Sequence, residues 1–104
     1  MIITTTENIP GRNYKVIGIV RGNCVQSKNI LKDMTQAFKS IVGGELNEYT
    51  KMVDEARTMA TERMIEEAEI QNADAIVMVR YGNGAVAPDA SEIIAYGTAV
   101  KFTD

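Results

Sequence analysis

The chain opens with Ile2 to Thr6, a short run rich in β-branched residues, and this predicts a strand. Glu7 to Gly11 then reads as a turn, because Pro10-Gly11 punctuates it. Tyr14 to Val20 is apolar at nearly every position and predicts a second strand, which Arg21-Gly22-Asn23 is expected to end. Asn29 suits a helix N-cap. After it, Ile30, Met34, Ala37, Phe38 and Ile41 recur at spacings of three and four, the mark of one amphipathic helix face. Gly43-Gly44 stops that pattern. A second helix is predicted from about Leu46 to Gln71, with an apolar stripe of Tyr49, Met52, Val53, Ala56, Ala60, Met64 and Ala68. Lys51 with Glu55, and Arg63 with Glu66 and Glu67, are spaced to pair on its wet side. Asn72 is the expected terminator. Ala75 to Tyr81 predicts a third strand, Gly82 to Ala90 a loop, and Ser91 to Phe102 a long fourth strand.

The order β-β-α-α-β-β predicts an α+β fold: one domain over residues 1–104, a small antiparallel sheet with two helices on one face. The strands carry a further message. In the last strand Ile94, Tyr96, Val100 and Phe102 point one way, and Ile93, Ala95, Gly97 and Ala99 the other. Val77 and Val79 likewise oppose Ile76 and Met78. Both sheet faces are therefore apolar, and two helices cover only one. The small Ala/Gly face suits close helix packing; the bulkier face then needs a partner. This predicts a homo-oligomer, closed and cyclic.

Composition narrows the function classes. Hydrophobic residues make up 45% and charged residues 24%, as in an ordinary globular domain. The formal charge of −3 argues against a nucleic-acid binder, which shows a basic stripe. Arg12, Lys15, Arg21, Lys28, Lys32 and Lys39 nonetheless make the first part of the chain basic, while the second helix is acidic; that asymmetry can serve docking between subunits. No apolar run approaches the ~20 residues of a membrane span. The N-terminus lacks the features of a signal peptide. One cysteine excludes an intrachain disulfide, and a cytoplasmic protein is expected.

The chain has no histidine, so neither a Cys-His nucleophile nor a Ser-His-Asp triad is available. Cys24 alone cannot build a zinc site of the usual kind; copies of it gathered on a symmetry axis could hold a soft metal, against the plainer reading of a small buried residue. Met52, Met59 and Met64 read first as core packing rather than a thioether cluster, and Glu62, Glu66 and Glu69 as a solvated acidic face. Gly82-Asn83-Gly84-Ala85-Val86-Ala87 fits a dinucleotide fingerprint formally, but Pro88-Asp89 and another strand follow it, so no helix opens to receive a pyrophosphate. Gly43-Gly44-Glu45 precedes a helix and offers N–H groups to an anion, yet Glu45 would repel a phosphate and a chain reversal explains the glycines.

Several blocks together resemble one family. They are Ile9-Pro10-Gly11-Arg12, Val16-Ile17-Gly18, Asn29-Ile30 with Asp33, Ile41-Val42-Gly43-Gly44-Glu45-Leu46, Tyr49-Thr50, Glu55-Ala56-Arg57, Asn72-Ala73-Asp74-Ala75-Ile76-Val77 and Ala95-Tyr96-Gly97-Thr98-Ala99-Val100. Over nearly its whole length the chain resembles the YbjQ family, often described as putative heavy-metal-binding. The resemblance implies a fold similar to a dodecin subunit and a ring of subunits, typically a pentamer or a multiple of it. It brings no reaction, cofactor or catalytic residue that transfers to this chain.

The leading expectation is a small cytoplasmic homo-oligomeric binding or scaffold protein. Gly43, Gly44, Glu45, Tyr49 and Arg57 would form a ligand site at subunit junctions, with Glu45 and Arg57 supplying charge and Tyr49 a hydroxyl. In the plainer reading Arg57 pairs with Asp54 and Tyr49 packs. The alternatives are heavy-metal sequestration by the assembled ring, and an enzyme with an inter-subunit carboxylate/Tyr/Arg site.

Overall fold

The computed structural model describes residues 1–27 and 47–104, the side chains of Ser27, Asn47, Glu48 and Tyr49 excepted. The elements in this range are β1 (Ile2–Ile3), β2 (Tyr14–Ser27), α1 (Asn47–Ile70), β3 (Ala75–Ala87) and β4 (Ala90–Phe102). The helix expected from Asn29, and the Gly43-Gly44 stop after it, lie outside the described residues.

The four strands form one sheet in the order β1-β3-β4-β2. β4 runs antiparallel to both neighbours, but β1 pairs parallel with β3, Ile2 opposite Ala75 and Ile3 opposite Ile76. The sheet is thus mixed, where the sequence led us to expect an antiparallel one. β1 pairs with a strand some seventy residues downstream, and apolar alternation carries no signal for strand direction. The expected strand to Thr6 shrinks in regular form to Ile2–Ile3, yet its pairing goes further. Thr4 N–H donates to the Ile76 carbonyl, and the carbonyls of Thr4 and Thr6 accept from the N–H groups of Val79 and Met78 at 2.9 and 3.1 Å. Met78 sits at φ 57, and the β3–β4 register shifts between Val77 and Arg80, as in a β-bulge.

Two strands are longer than their patterns suggested. Arg21-Gly22-Asn23 does not end β2, which pairs with β4 as far as Ser27 opposite Ala90. Gly22 is required there by the helix. A Cβ on it would run into the Ala60 and Met64 backbone and come within 2.8 Å of Arg63 Cβ. Gly82 to Ala87 is likewise strand rather than loop, and the chain reverses only at Pro88-Asp89. The Pro10-Gly11 turn is as expected: Arg12 N–H donates to the Ile9 carbonyl at 3.1 Å and Gly11 takes φ 77, the left-handed position that follows proline in a type II turn.

α1 lies on one sheet face. Its buried ridge is Ala56, Ala60, Met64 and Ala68, four of the seven stripe positions, and it packs with Val20, Cys24, Ile76, Val79, Ala95 and Ala99. Small residues on both sides let helix and sheet approach closely, and Met64, fully buried, fills the space between them. Asn72 terminates the helix at φ 59. Its N–H donates to the Glu69 carbonyl at 2.9 Å and that of Ala73 to Ala68 at 3.0 Å, a Schellman cap. The anticipated helix-surface pairs do not form among the described residues. Arg63 donates instead to the Asn23 carbonyl on β2.

The opposite face is half covered by the chain itself. At one end Ile9 closes over Ala75, Val77 and Val100, flanked by Tyr14 and Phe102. Tyr14 donates to the Glu7 carbonyl at 2.7 Å, and the Arg12 guanidinium lies 3.7 Å over the Phe102 ring. Two aspartates tie this end together. The Phe102 N–H, then Lys101, hold Asp74 below its ordinary pKa of 3.8; the Asn13 N–H, then Arg12, do the same for Asp104. Beyond that end Ile19 and Val25 are left 77% and 58% exposed, with Tyr96 also open; Val16, opposite Val100 on the edge strand, is exposed beside the cluster.

Candidate functional site

A cleft of about 290 Å³ opens between the N-terminal half of α1 and the far end of the sheet. Three strands and the helix build it. Residues 20, 22 and 24 of β2 face the helix, so Gln26, two further on, does too. Ser91 pairs opposite Gln26 on β4, and Ile93 packs against the helix-side core. On β3, Asn83 lies opposite Ile93, and the Tyr81 hydroxyl sits 2.9 Å from Thr61 Oγ1 on the helix. Val53 and Arg57 complete the wall from α1. Gly82 and Glu92 contribute from the far side of the strands: a Cβ on Gly82 would meet Ile94, and the Glu92 carboxylate accepts from the Asn23 carboxamide at 2.8 Å.

Among the described residues, Arg57 is the only cation lining this cleft. It also pairs with Asp54 at 3.1 Å on its own helix, as the plainer reading held, but the two side chains are 48% and 61% exposed and such a pair contributes little. Of the other residues expected to bind a ligand, Gly43, Gly44 and Glu45 lie outside the described residues, and Tyr49 is described only as part of the helix backbone. Tyr81, Gln26, Asn83 and Ser91 escaped the sequence reading. Three strands bring them together; Tyr81 stood at the end of a predicted strand with nothing to mark its partner, and the segment holding Asn83 looked like a loop.

Cys24 is buried, as its plainer reading held, with its thiol 3.7 Å from the Met59 thioether sulfur. Among the described residues no group of three or more His, Cys, Asp or Glu side chains is placed to hold a metal, which leaves Glu62, Glu66 and Glu69 as a surface row. The described residues thus bring together two soft donors, at Cys24 and Met59; a four-coordinate zinc or cadmium site does not fit that pair. No helix among the described residues is long and apolar enough to cross a membrane.

The model of the YbjQ family, described as "Putative heavy-metal-binding", matches residues 1–103. A UPF0145 protein of Thermosipho africanus is 56% identical over 103 residues, covering 98% of this chain and 95% of the relative. Another, from Levilactobacillus brevis, is 49% identical over 102 residues, with the same coverage of 98% and 95%. Among solved structures, a Pediococcus pentosaceus protein of unknown function in the DUF74 family matches with a TM-score of 0.66 at 19% identity, covering 99% of this chain and 98% of that one. That likeness shows the fold.

Proposed function

This chain belongs to the YbjQ family, and from that premise and the geometry above we propose that it is a small homo-oligomeric binding or scaffold protein. The observation that carries the proposal is the uncovered half of the helix-free face. Ile19, Val25 and Tyr96 lie open on it, and β2, which carries the first two, has no strand on its outer edge among the described residues. Long open strand edges and apolar faces are ordinarily covered by a partner. A second copy is the natural one, because the exposed side of α1 carries Asp54, Glu55, Glu62, Glu66 and Glu69, while Arg21 and Arg80 flank Tyr96 on the open face. A heterologous contact of this kind forms a ring where its rotation closes, and we take it to close as a pentamer or a multiple of it, dodecin-like in its subunit. Gly43, Gly44, Glu45, Tyr49 and Arg57 are then the residues we assign to a ligand site at the subunit junctions. The single cysteine supports a reducing compartment, and we place the protein in the cytoplasm.

Native mass spectrometry on untagged protein tests this directly. A pentamer or its multiple is expected; a monomer at micromolar concentration overturns the reading.

The Cys24–Met59 contact favours a second reading, retention of a soft metal by the assembled ring. A thiolate and a thioether suit a d10 ion such as Cu(I). Elemental analysis of protein incubated with Cu(I) should then find metal bound at Cys24, and Cys24→Ser should lose it. Equal metal content in the variant removes this reading.

A further inference from the structure

We propose that the cleft between α1 and the β3–β4 hairpin binds a small organic monocarboxylate. Its walls divide by chemistry. Val53 and Ile93 give an apolar surface from opposite sides, and Arg57 stands at the rim with one guanidinium nitrogen on Asp54 and its other N–H donors uncommitted among the described residues. Three neutral polar side chains, those of Gln26, Asn83 and Ser91, line the same space without a hydrogen-bond partner among the described residues. Glu92 would repel an anion, but its carboxylate is held by Asn23, and Asn23 stands on the helix-free face with Arg21 and Val25. Among the described residues the charge presented to the cleft is therefore that of Arg57, shared with its exposed partner Asp54. One planar cation, hydroxyl and amide groups, and an apolar surface recognise a carboxylate carried on a small apolar body. A phosphate dianion finds a single counter-charge here. The volume of about 290 Å³ fits a molecule the size of a single substituted ring.

The inference deepens the binding half of the function proposed above and is independent of assembly. The test uses the full chain with benzoate as probe and benzamide as its neutral counterpart, read by saturation-transfer NMR and by amide shifts. Benzoate is expected to bind at millimolar concentration and to shift the amides of Tyr81, Asn83, Ser91 and Ile93. Arg57→Gln should weaken it by about tenfold or more, as loss of a charge-assisted hydrogen bond does. Lys51→Gln removes an equal charge from the same helix outside the cleft and should leave benzoate binding unchanged. Benzamide should bind as weakly as benzoate does to Arg57→Gln. Equal binding to Arg57→Gln and wild type, equal loss in Lys51→Gln, or no benzoate binding overturns the proposal. A ring that binds neither probe sinks the cleft and leaves the assembly standing, whereas a monomer that binds benzoate through Arg57 does the reverse.

Discussion

Gly22 shows how one residue can be misread for a sound local reason. Beside Asn23 it has the chemistry of a strand end. In the folded chain it is the point where α1 passes so close over β2 that no side chain fits. Gly22→Ala should lower stability by about 3 kcal/mol, since the Cβ meets helix backbone, which cannot swing aside. Gly84→Ala is the matched control. Nothing lies within 4 Å of a Cβ there, so its urea midpoint should stay near the wild-type value. Two equal midpoints would show that the helix does not approach β2 as described. Asn83 and Gln26 were obscure for a related reason: each is an ordinary polar residue in its own segment, and only strand pairing puts them in one cleft with Arg57.

At the scale of elements, whatever repeats was legible. The four-residue spacing of Ala56, Ala60, Met64 and Ala68 located the helix, its buried ridge and, with the Ala95–Ala99 face, the surface it packs on. Asn72 and Pro10-Gly11 announced their own backbone geometry. The parallel pairing of β1 had no such signal, because it joins segments far apart in the chain. Side-chain clasps were equally hidden, and they give this sheet a pH dependence. Asp74 holds the Phe102 N–H at 2.8 Å and Asp104 the Asn13 N–H at 3.1 Å, and both are held below 3.8 by those bonds. A carboxylate with a depressed folded pKa contributes stability in full above its unfolded value and loses it as pH falls through the folded one. Thermal midpoints should accordingly be flat with respect to these two groups above about pH 4–5 and fall below that. In Asp74→Ala the fall between pH 5 and pH 3 should be shallower than in wild type; an identical slope would mean that Asp74 is not a clasp in solution.

The whole molecule is asymmetric in how it is covered. Among the described residues, one face has a helix, half of the other has the N-terminal segment, and the rest stays open. The sequence carried this through the bulky face of β4, though not the fact that Ile9, Tyr14 and Phe102 close one end of it. If the open half is where copies meet, Ile19→Lys should shift the native mass to monomer without changing the far-ultraviolet dichroism, because Ile19 is 77% exposed in the protomer. An intact oligomer in Ile19→Lys would move the contact elsewhere.

The strand order also bears on how the protein is made. β4 lies between β2 and β3, and every described pairing of β2 is to β4. On a ribosome β2 emerges well before β4 and has no sheet partner among the described strands until Ala90–Phe102 has cleared the exit tunnel. For that interval a fourteen-residue strand with both edges bare is exposed to neighbouring nascent chains and chaperones. Slow translation between Ser27 and Ala90 should therefore cost this protein yield, even though those codons specify no part of β2 or β4.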